Sequence, residues 1–126
     1  MSCPFCDVLE NGQSVAETEH ALALKDAFPV CEGHTLIIAR VHEPDFLALN
    51  STVQAEMFLL GAKIANRLRA EPGVQGVNIG LNIGEAAGQT IDHAHLHVIP
   101  RRDGDVDDPR GGIRWVLPAR ANYWTD

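Results

Sequence analysis

Three of the six histidines in this 126-residue chain occupy alternate positions of one short run, His93-Ala94-His95-Leu96-His97-Val98-Ile99-Pro100. A period of two is the period of a β-strand, in which successive side chains point to opposite faces. His93, His95 and His97 therefore share one face, and Ala94, Leu96 and Val98 share the other. The fold must supply a sheet whose apolar side is covered and whose imidazole side can meet a ligand. Neighbouring imidazoles on that face stand about 7 Å apart, from a rise of about 3.3 Å per residue, so one small ligand can meet two of them. A single histidine on such a strand ordinarily does no more than find a hydrogen bond; three in register point to chemistry.

The length suits one domain, residues 1–126, with a modest core that a partner subunit would help to stabilise. Hydrophobic residues make up 45% and charged residues 21%, the balance of a soluble globular protein and not of a disordered chain. The formal net charge of -7 argues against a broad basic surface for long nucleic acid, while leaving room for a local pocket that holds a single nucleotide. No basic start followed by an apolar run, and no stretch near the roughly 20 apolar residues of a membrane span, is present. A cytoplasmic location is expected. Three cysteines, Cys3, Cys6 and Cys31, do not suggest a secreted disulfide framework and read as reduced thiols or metal ligands.

Cys3-Pro4-Phe5-Cys6 is a C-x-x-C pair, with which one tight turn grips half of a tetrahedral zinc site. The remaining ligands would be histidines from elsewhere, with His42 and His93 as candidates. A redox pair usually follows a strand and opens a helix, whereas Val8–Gln13 reads as a short segment ending at Asn11-Gly12. Structural zinc therefore stands ahead of redox chemistry and of plain packing.

Two strands are expected over residues 20–26 and 34–40, forming an antiparallel hairpin around a connection from Phe28-Pro29 to Glu32-Gly33. Asp26 at the end of the first reads as a solvated charge or as an acceptor for a ligand hydroxyl, and His34 at the start of the second is similarly open. Phe46–Leu49 reads as one or two helical turns. Asn50 or Ser51 can then cap a helix to about Ala70, with Val53, Met57, Leu60, Ile64 and Leu68 forming a core stripe. Met57 and Phe58 read as packing. Some 20 residues make about 30 Å of helix, enough to back a small sheet, and Pro72-Gly73 ends it.

Gly76–Leu81 reads as a further strand, running into the loop Asn82–Thr90 that leads to the histidines. Gly84 and Gly88 allow backbone N–H groups to turn toward an anion, and Gln89 and Thr90 add side-chain donors. The loop lacks the lysine of a P-loop and the spacing of a dinucleotide fingerprint; before three histidines it reads as a phosphate cradle. Arg101, Arg102 and the acidic stretch Asp103–Asp108 are expected to be solvated. In the tail, from about residue 103 to 126, residues 113–117 suggest a short edge strand, and Tyr123 and Trp124 are expected to dock on the domain or on a partner.

These residues resemble the histidine triad (HIT) family, whose signature is H-x-H-x-H followed by two apolar residues. His93-Ala-His95-Leu-His97-Val-Ile matches it in full, and Gly33-His34-Thr35, Asn82 and Gly88-Gln89-Thr90 extend the likeness over most of the chain up to about residue 103. The resemblance implies an α+β fold: an antiparallel sheet of about five strands, one long helix against it, and two subunits joining their sheets into a homodimer. It implies His95 as the nucleophile, attacking the α-phosphorus of a purine nucleotide, an AMP or GMP derivative, to give a nucleotidyl-histidine that water hydrolyses. An imidazole with an ordinary pKa near 6.5 is largely neutral at pH 7 and offers a free nitrogen without a strong base.

By the same resemblance His97 meets the phosphate oxygens, His34 orients the triad, and Asn82, Gly88, Gln89 and Thr90 bind phosphate, with Thr90 also facing the leaving group. Asp26 would bond ribose hydroxyls, and Leu24 and Phe28 would line the base pocket. Cys3, Cys6, His42 and His93 correspond to a structural zinc site in a bacterial branch of the family, the N-terminal segment of about residues 1–12 being its anchor. Transferase and phosphorylase relatives carry Gln at the third triad position, so His97 favours the hydrolase side, acting on phosphoramidates or dinucleoside polyphosphates. Two other classes stand against this. A catalytic metal on all three histidines is opposed by their spread of about 13 Å along a flat strand. A nucleotide-binding or zinc-stapled interaction protein with little turnover is opposed by the intact triad.

Overall fold

A computed structural model describes residues 3–125, so Met1, Ser2 and Asp126, at the outer ends of the expected zinc segment and tail, lie outside the described residues. The regular elements are helix α1 (Pro4–Asn11), strands β1 (Ala16–Glu17), β2 (Ala21–Lys25) and β3 (Thr35–Ala39), helix α2 (Ser51–Arg69), and strands β4 (Gly76–Leu81) and β5 (His95–Arg101). The strands form one antiparallel sheet in the order β1-β2-β3-β5-β4. The chain enters β5 last and places it between β3, which also pairs with β2, and the edge strand β4. Leu96 lies opposite Ile37 on one side and Leu81 on the other, while His97 lies between Leu36 and Gly80.

The expected alternation along β5 is realised. Leu96 and Val98 are fully buried on the face covered by α2, with Ala21, Ala23 and Ile37 from the neighbouring strands. Helix α2 is capped by Asn50, whose Oδ1 accepts from the Val53 amide at 3.0 Å, and its stripe Val53, Met57, Leu60, Ile64 and Leu68 is buried as expected. Gly61 sits in the same stripe, where a Cβ would stand 2.8 Å from Leu96 Cδ2. This is the closest approach that lets the helix lie flat on β5. Phe58 is 43% exposed and packs only edge-on against Phe46, so of the two residues expected to pack, Met57 alone is core. Glu56 ties the helix to the β1–β2 turn by accepting from Thr18 Oγ1 and the His20 amide.

Helix α1 covers the other face of the sheet. Phe5 is buried with Leu22, Leu24, Leu36 and Ile38, and Val8 and Leu9 pack against this second cluster. Here the expectation of a short segment from Val8 is corrected: Cys3 is the N-cap, Pro4 occupies the first turn and Cys6 lies inside the helix. Proline suits that position because its fixed φ is helical and its missing N–H has no partner there anyway. The C-x-x-C pair therefore does open a helix.

The tail also departs from expectation. In place of an edge strand over residues 113–117 there is a 3-10 turn, Gly112–Val116. Gly111 and Gly112, at φ +92° and +44°, turn the chain out of extended geometry just before it, and Trp115 Nε1 donates back to the Arg110 carbonyl at 2.7 Å. Arg110 and Arg114 lie over the rings of Trp124 and Tyr123, so these aromatics dock on the tail's own guanidinium groups. The acidic stretch is not simply solvated. Gly104 turns it back, and Asp105 accepts from Arg101 Nε and Nη2, both at 2.8 Å. Among the described residues, no helix is long and apolar enough to cross a membrane.

A side chain at position 61 must push α2 away from β5. Gly61→Val should lower stability by about 1–3 kcal/mol, read from the urea midpoint; an unchanged midpoint would mean the helix does not lie this close.

Candidate active site

The reactive face is built where β5 begins. His93 precedes the strand, and its backbone carbonyl accepts a hydrogen bond from His95 Nδ1 at 2.8 Å. A carbonyl can only accept, so Nδ1 carries the proton and Nε2 of His95 keeps its lone pair. His95 is only 7% exposed, with Phe5 packed edge-on at a ring separation of 5.0 Å.

A second chain of bonds fixes His97. Val30 N–H donates to His34 Nδ1 at 3.1 Å, which places the His34 proton on Nε2, 2.9 Å from His97 Nδ1. His97 Nδ1 then accepts, so the neutral ring carries its proton on Nε2. Asp26 Oδ2 lies 3.3 Å from the same His34 nitrogen, while Asp26 Oδ1 accepts from the Phe28 amide at 2.9 Å. Asp26 is thus an ordered part of the site and not a solvated charge. Burial pushes the pKa of both His34 and His97 below the ordinary imidazole value; the Asp26 carboxylate opposes the shift in each case.

These groups open into a cleft of about 760 Å³. Its lining includes His95 and His97 together with Leu24, Asp26, Phe28, Asn82, Gly88 and Thr90. Phe28 is 89% exposed at the rim. Two of the catalytic and nucleotide-binding candidates are not in this lining: His34, which reaches the site through His97 and Asp26, and Gln89. Its Oε1 accepts from the Gly84 amide at 2.9 Å and its Nε2 donates to Pro44 O at 2.7 Å, so the side chain braces the loop from behind. The cleft also takes in Phe5 and Val8 from α1, neither of which the residue pattern was read to place there. The signal was available: with Cys3 as N-cap, Phe5, Val8 and Leu9 follow helical spacing.

On the far side of His93 the four candidate metal ligands converge. His93 Nε2 donates to Ala39 O at 2.6 Å, leaving Nδ1 to face 3.5 Å to Cys3 Sγ, 3.7 Å to Cys6 Sγ and 3.2 Å to His42 Nδ1. Cys6 Sγ and His42 Nδ1 are 3.3 Å apart. A tetrahedral zinc with bonds of about 2.3 Å to sulfur and about 2.0–2.1 Å to nitrogen spaces its ligands about 3.6 Å from S to N and about 3.3 Å from N to N. The donor set and its separations fit such an ion. The buried ring hydrogen-bonded through its other nitrogen is the usual support of a metal-binding histidine.

The neutral state of the buried imidazoles carries a pH signature. His34 and His97 have folded pKa values below their unfolded value near 6.5, so as pH falls the unfolded chain takes up protons first. Stability should be full above about pH 6.5 and decline below it, by up to about 1.4 kcal/mol per histidine per pH unit. Urea midpoints measured between pH 7.5 and 5.5 should fall on acidification, and a rise would contradict the neutral hydrogen-bond chain.

Comparison with known proteins agrees with this geometry. The HIT domain model matches residues 10–104. An uncharacterised HIT-like protein of Mycoplasma genitalium is 39% identical over 103 residues, covering 79% of this chain and 73% of its own. The adenylylsulfatase HINT3 of Arabidopsis thaliana is 35% identical over 107 residues, 82% of this chain and 54% of that protein. Among solved structures, a zinc-bound histidine triad family protein from Mycobacterium smegmatis superposes with a TM-score of 0.77 at 38% identity, covering 82% of this chain and 78% of that one. With a matched domain spanning most of its length and the triad, sheet and long helix in place, the chain belongs to the HIT-domain family.

Proposed function

We propose that this protein is a nucleotide hydrolase or nucleotidyl transferase, cleaving at the α-phosphate of purine nucleoside phosphoramidates or dinucleoside polyphosphates through a nucleotidyl-His95 intermediate. The observation that carries the reading is the bond from His95 Nδ1–H to His93 O, which leaves Nε2 unprotonated in a cleft with room for a nucleotide. As Nε2 bonds to phosphorus the ring becomes cationic, and the same carbonyl stabilises the proton left on Nδ1. His97, held by His34, presents Nε2–H to a phosphate oxygen. Asn82, Gly88 and Thr90 border the phosphate, Asp26 faces the ribose, and Leu24 and Phe28 flank the base; Gln89 acts by holding the loop in shape. The hydrolase character of HINT3 supports the same class of chemistry.

Cys3, Cys6, His42 and His93 would hold zinc as a closed, structural site, since all four positions are filled by protein. The two subunits of a homodimer would join sheets through β4, the six-residue free edge; the other edge, β1, has only two residues.

Incubation with an AMP phosphoramidate should release AMP and trap an acid-labile nucleotidyl adduct on His95. His95→Ala should lose the adduct and at least about 10³-fold in kcat/KM. AMP binding with no adduct in the wild type would instead indicate a binding protein with little turnover. Purified protein should carry one zinc per chain, lost together with several degrees of Tm on chelation. A Tm indifferent to chelation in zinc-loaded protein would remove the structural role.

A further inference from the structure

Cys3 and Cys6 stand where a helix begins as well as where a metal can bind. Cys3 is the N-cap of α1 and Cys6 lies in its first turn, the arrangement in which two thiols close a reversible disulfide. Their sulfurs belong to a group whose ligand atoms all lie within 4.8 Å of one another. His93, which both sulfurs face, is fully buried, but Cys3 and Cys6 are half-buried and His42 is exposed. A small solute therefore reaches the pair from solvent.

The same sulfurs hold α1 to the sheet. Among the described residues, the side-chain hydrogen bonds that leave residues 3–11 for the rest of the chain are those of the two sulfurs, to His93 and His42. The remaining attachment is the apolar contact of Phe5, Val8 and Leu9 with β2 and β3. Helix α1 in turn gives Pro4, Phe5 and Val8 to the lining of the cleft that holds His95 and His97. Phe5 also meets the rings of His93 and His95 edge-on, at 5.7 and 5.0 Å. A change at the sulfurs is thus carried to the cleft lining and to the nucleophile.

We propose that Cys3 and Cys6 form a thiol–disulfide switch: a peroxide closes the disulfide, the metal leaves, and the cleft loses affinity for nucleotide. The switch rests on the zinc and nucleotide readings above and adds a control over both. Two sulfurs bound to one zinc stand about 3.8 Å apart, against about 2.05 Å in a disulfide, so the pair cannot satisfy both states at once. The thiolate, not the disulfide, is the metal ligand, and His42 and His93 alone are half of a tetrahedral site. Helix α1, held afterwards by its apolar contacts, no longer fixes its share of the cleft lining or the edge of Phe5 against His95.

The electrons balance within the pair and the oxidant. One thiolate attacks an oxygen of hydrogen peroxide: a sulfur–oxygen bond forms, the oxygen–oxygen bond breaks, and hydroxide leaves. The second thiolate attacks that sulfur, the sulfur–sulfur bond forms, and the sulfur–oxygen bond breaks to release a second hydroxide. The two sulfurs have given up two electrons and the two peroxide oxygens have gained them; the ion is released still divalent. A dithiol reductant reverses the change by two thiol–disulfide exchanges, ending as a disulfide itself.

The test treats zinc-loaded wild-type protein with near-stoichiometric hydrogen peroxide and follows three quantities in parallel: zinc captured by a chromophoric chelator, the Cys3–Cys6 cross-link in peptide mass spectra, and the Kd for AMP. Zinc release and cross-link should rise together in equal amounts, with the Kd for AMP increasing by about tenfold. Dithiothreitol with added zinc should restore the starting value. Cys6→His keeps four donors without a second thiol, so its zinc and its AMP affinity should survive the treatment, while Cys31→Ser should switch as the wild type does. The wild-type time courses decide the matter by themselves where Cys6→His does not fold. The switch is overturned if peroxide releases no zinc, if zinc leaves without the cross-link, if the cross-link joins Cys31, or if the disulfide forms with the Kd for AMP unchanged. Purified protein without zinc would overturn the metal-site reading, and untreated protein without AMP affinity the nucleotide reading; either result takes the switch with it.

Discussion

Everything in this structure depends on β5 being buried on one face and chemically active on the other. Its backbone is paired on both sides, by β3 and β4, so it cannot slip or turn without breaking two ladders. Leu96 and Val98 lock the register from beneath, under a helix that Gly61 brings to close range. A shift of one residue would exchange leucine for histidine in the core. The packing energy of the apolar face thus positions the imidazoles, although none of it comes from the imidazoles themselves.

His93 joins two sites that would otherwise be separate. Its ring turns away from the cleft toward Cys3, Cys6 and His42, while its carbonyl faces the cleft and holds His95. Phe5 lies between the two cysteines in the chain and packs edge-on against both His93 and His95. An ion on the cysteine side would restrain the same residue whose carbonyl sets the tautomer of the nucleophile. Stability at the N-terminus and orientation at the phosphorus are in this way one mechanical problem.

Protonation is handled by burial in place of strong charge pairs. His34 is held neutral by an amide donor on one nitrogen and His97 on the other, with Asp26 near enough to order the pair. Farther along β5, Arg101 is engaged by Asp105 and Asn78.

The sequence by itself determined the strand of histidines, the long helix and its buried stripe, the hairpin before it, and the four residues with metal-ligand chemistry. Each of these is a local pattern: a period of two, a period of 3.6, or donor types at fixed spacing. Helix α1 is less legible because its eight residues hold only a short stripe, and the C-x-x-C pair at its start carries metal-ligand chemistry as well as a helix N-terminus. The tail departs from its local pattern because residues 113–117 are apolar enough for a strand, while two successive glycines at positive φ decide otherwise. Only the tertiary structure decided that Gln89 braces its loop, that Asp26 meets His34, and that α1 lines the cleft on the histidine face. Those outcomes are contacts between residues far apart in the chain, and no local periodicity encodes which partner a side chain will meet once the sheet has closed.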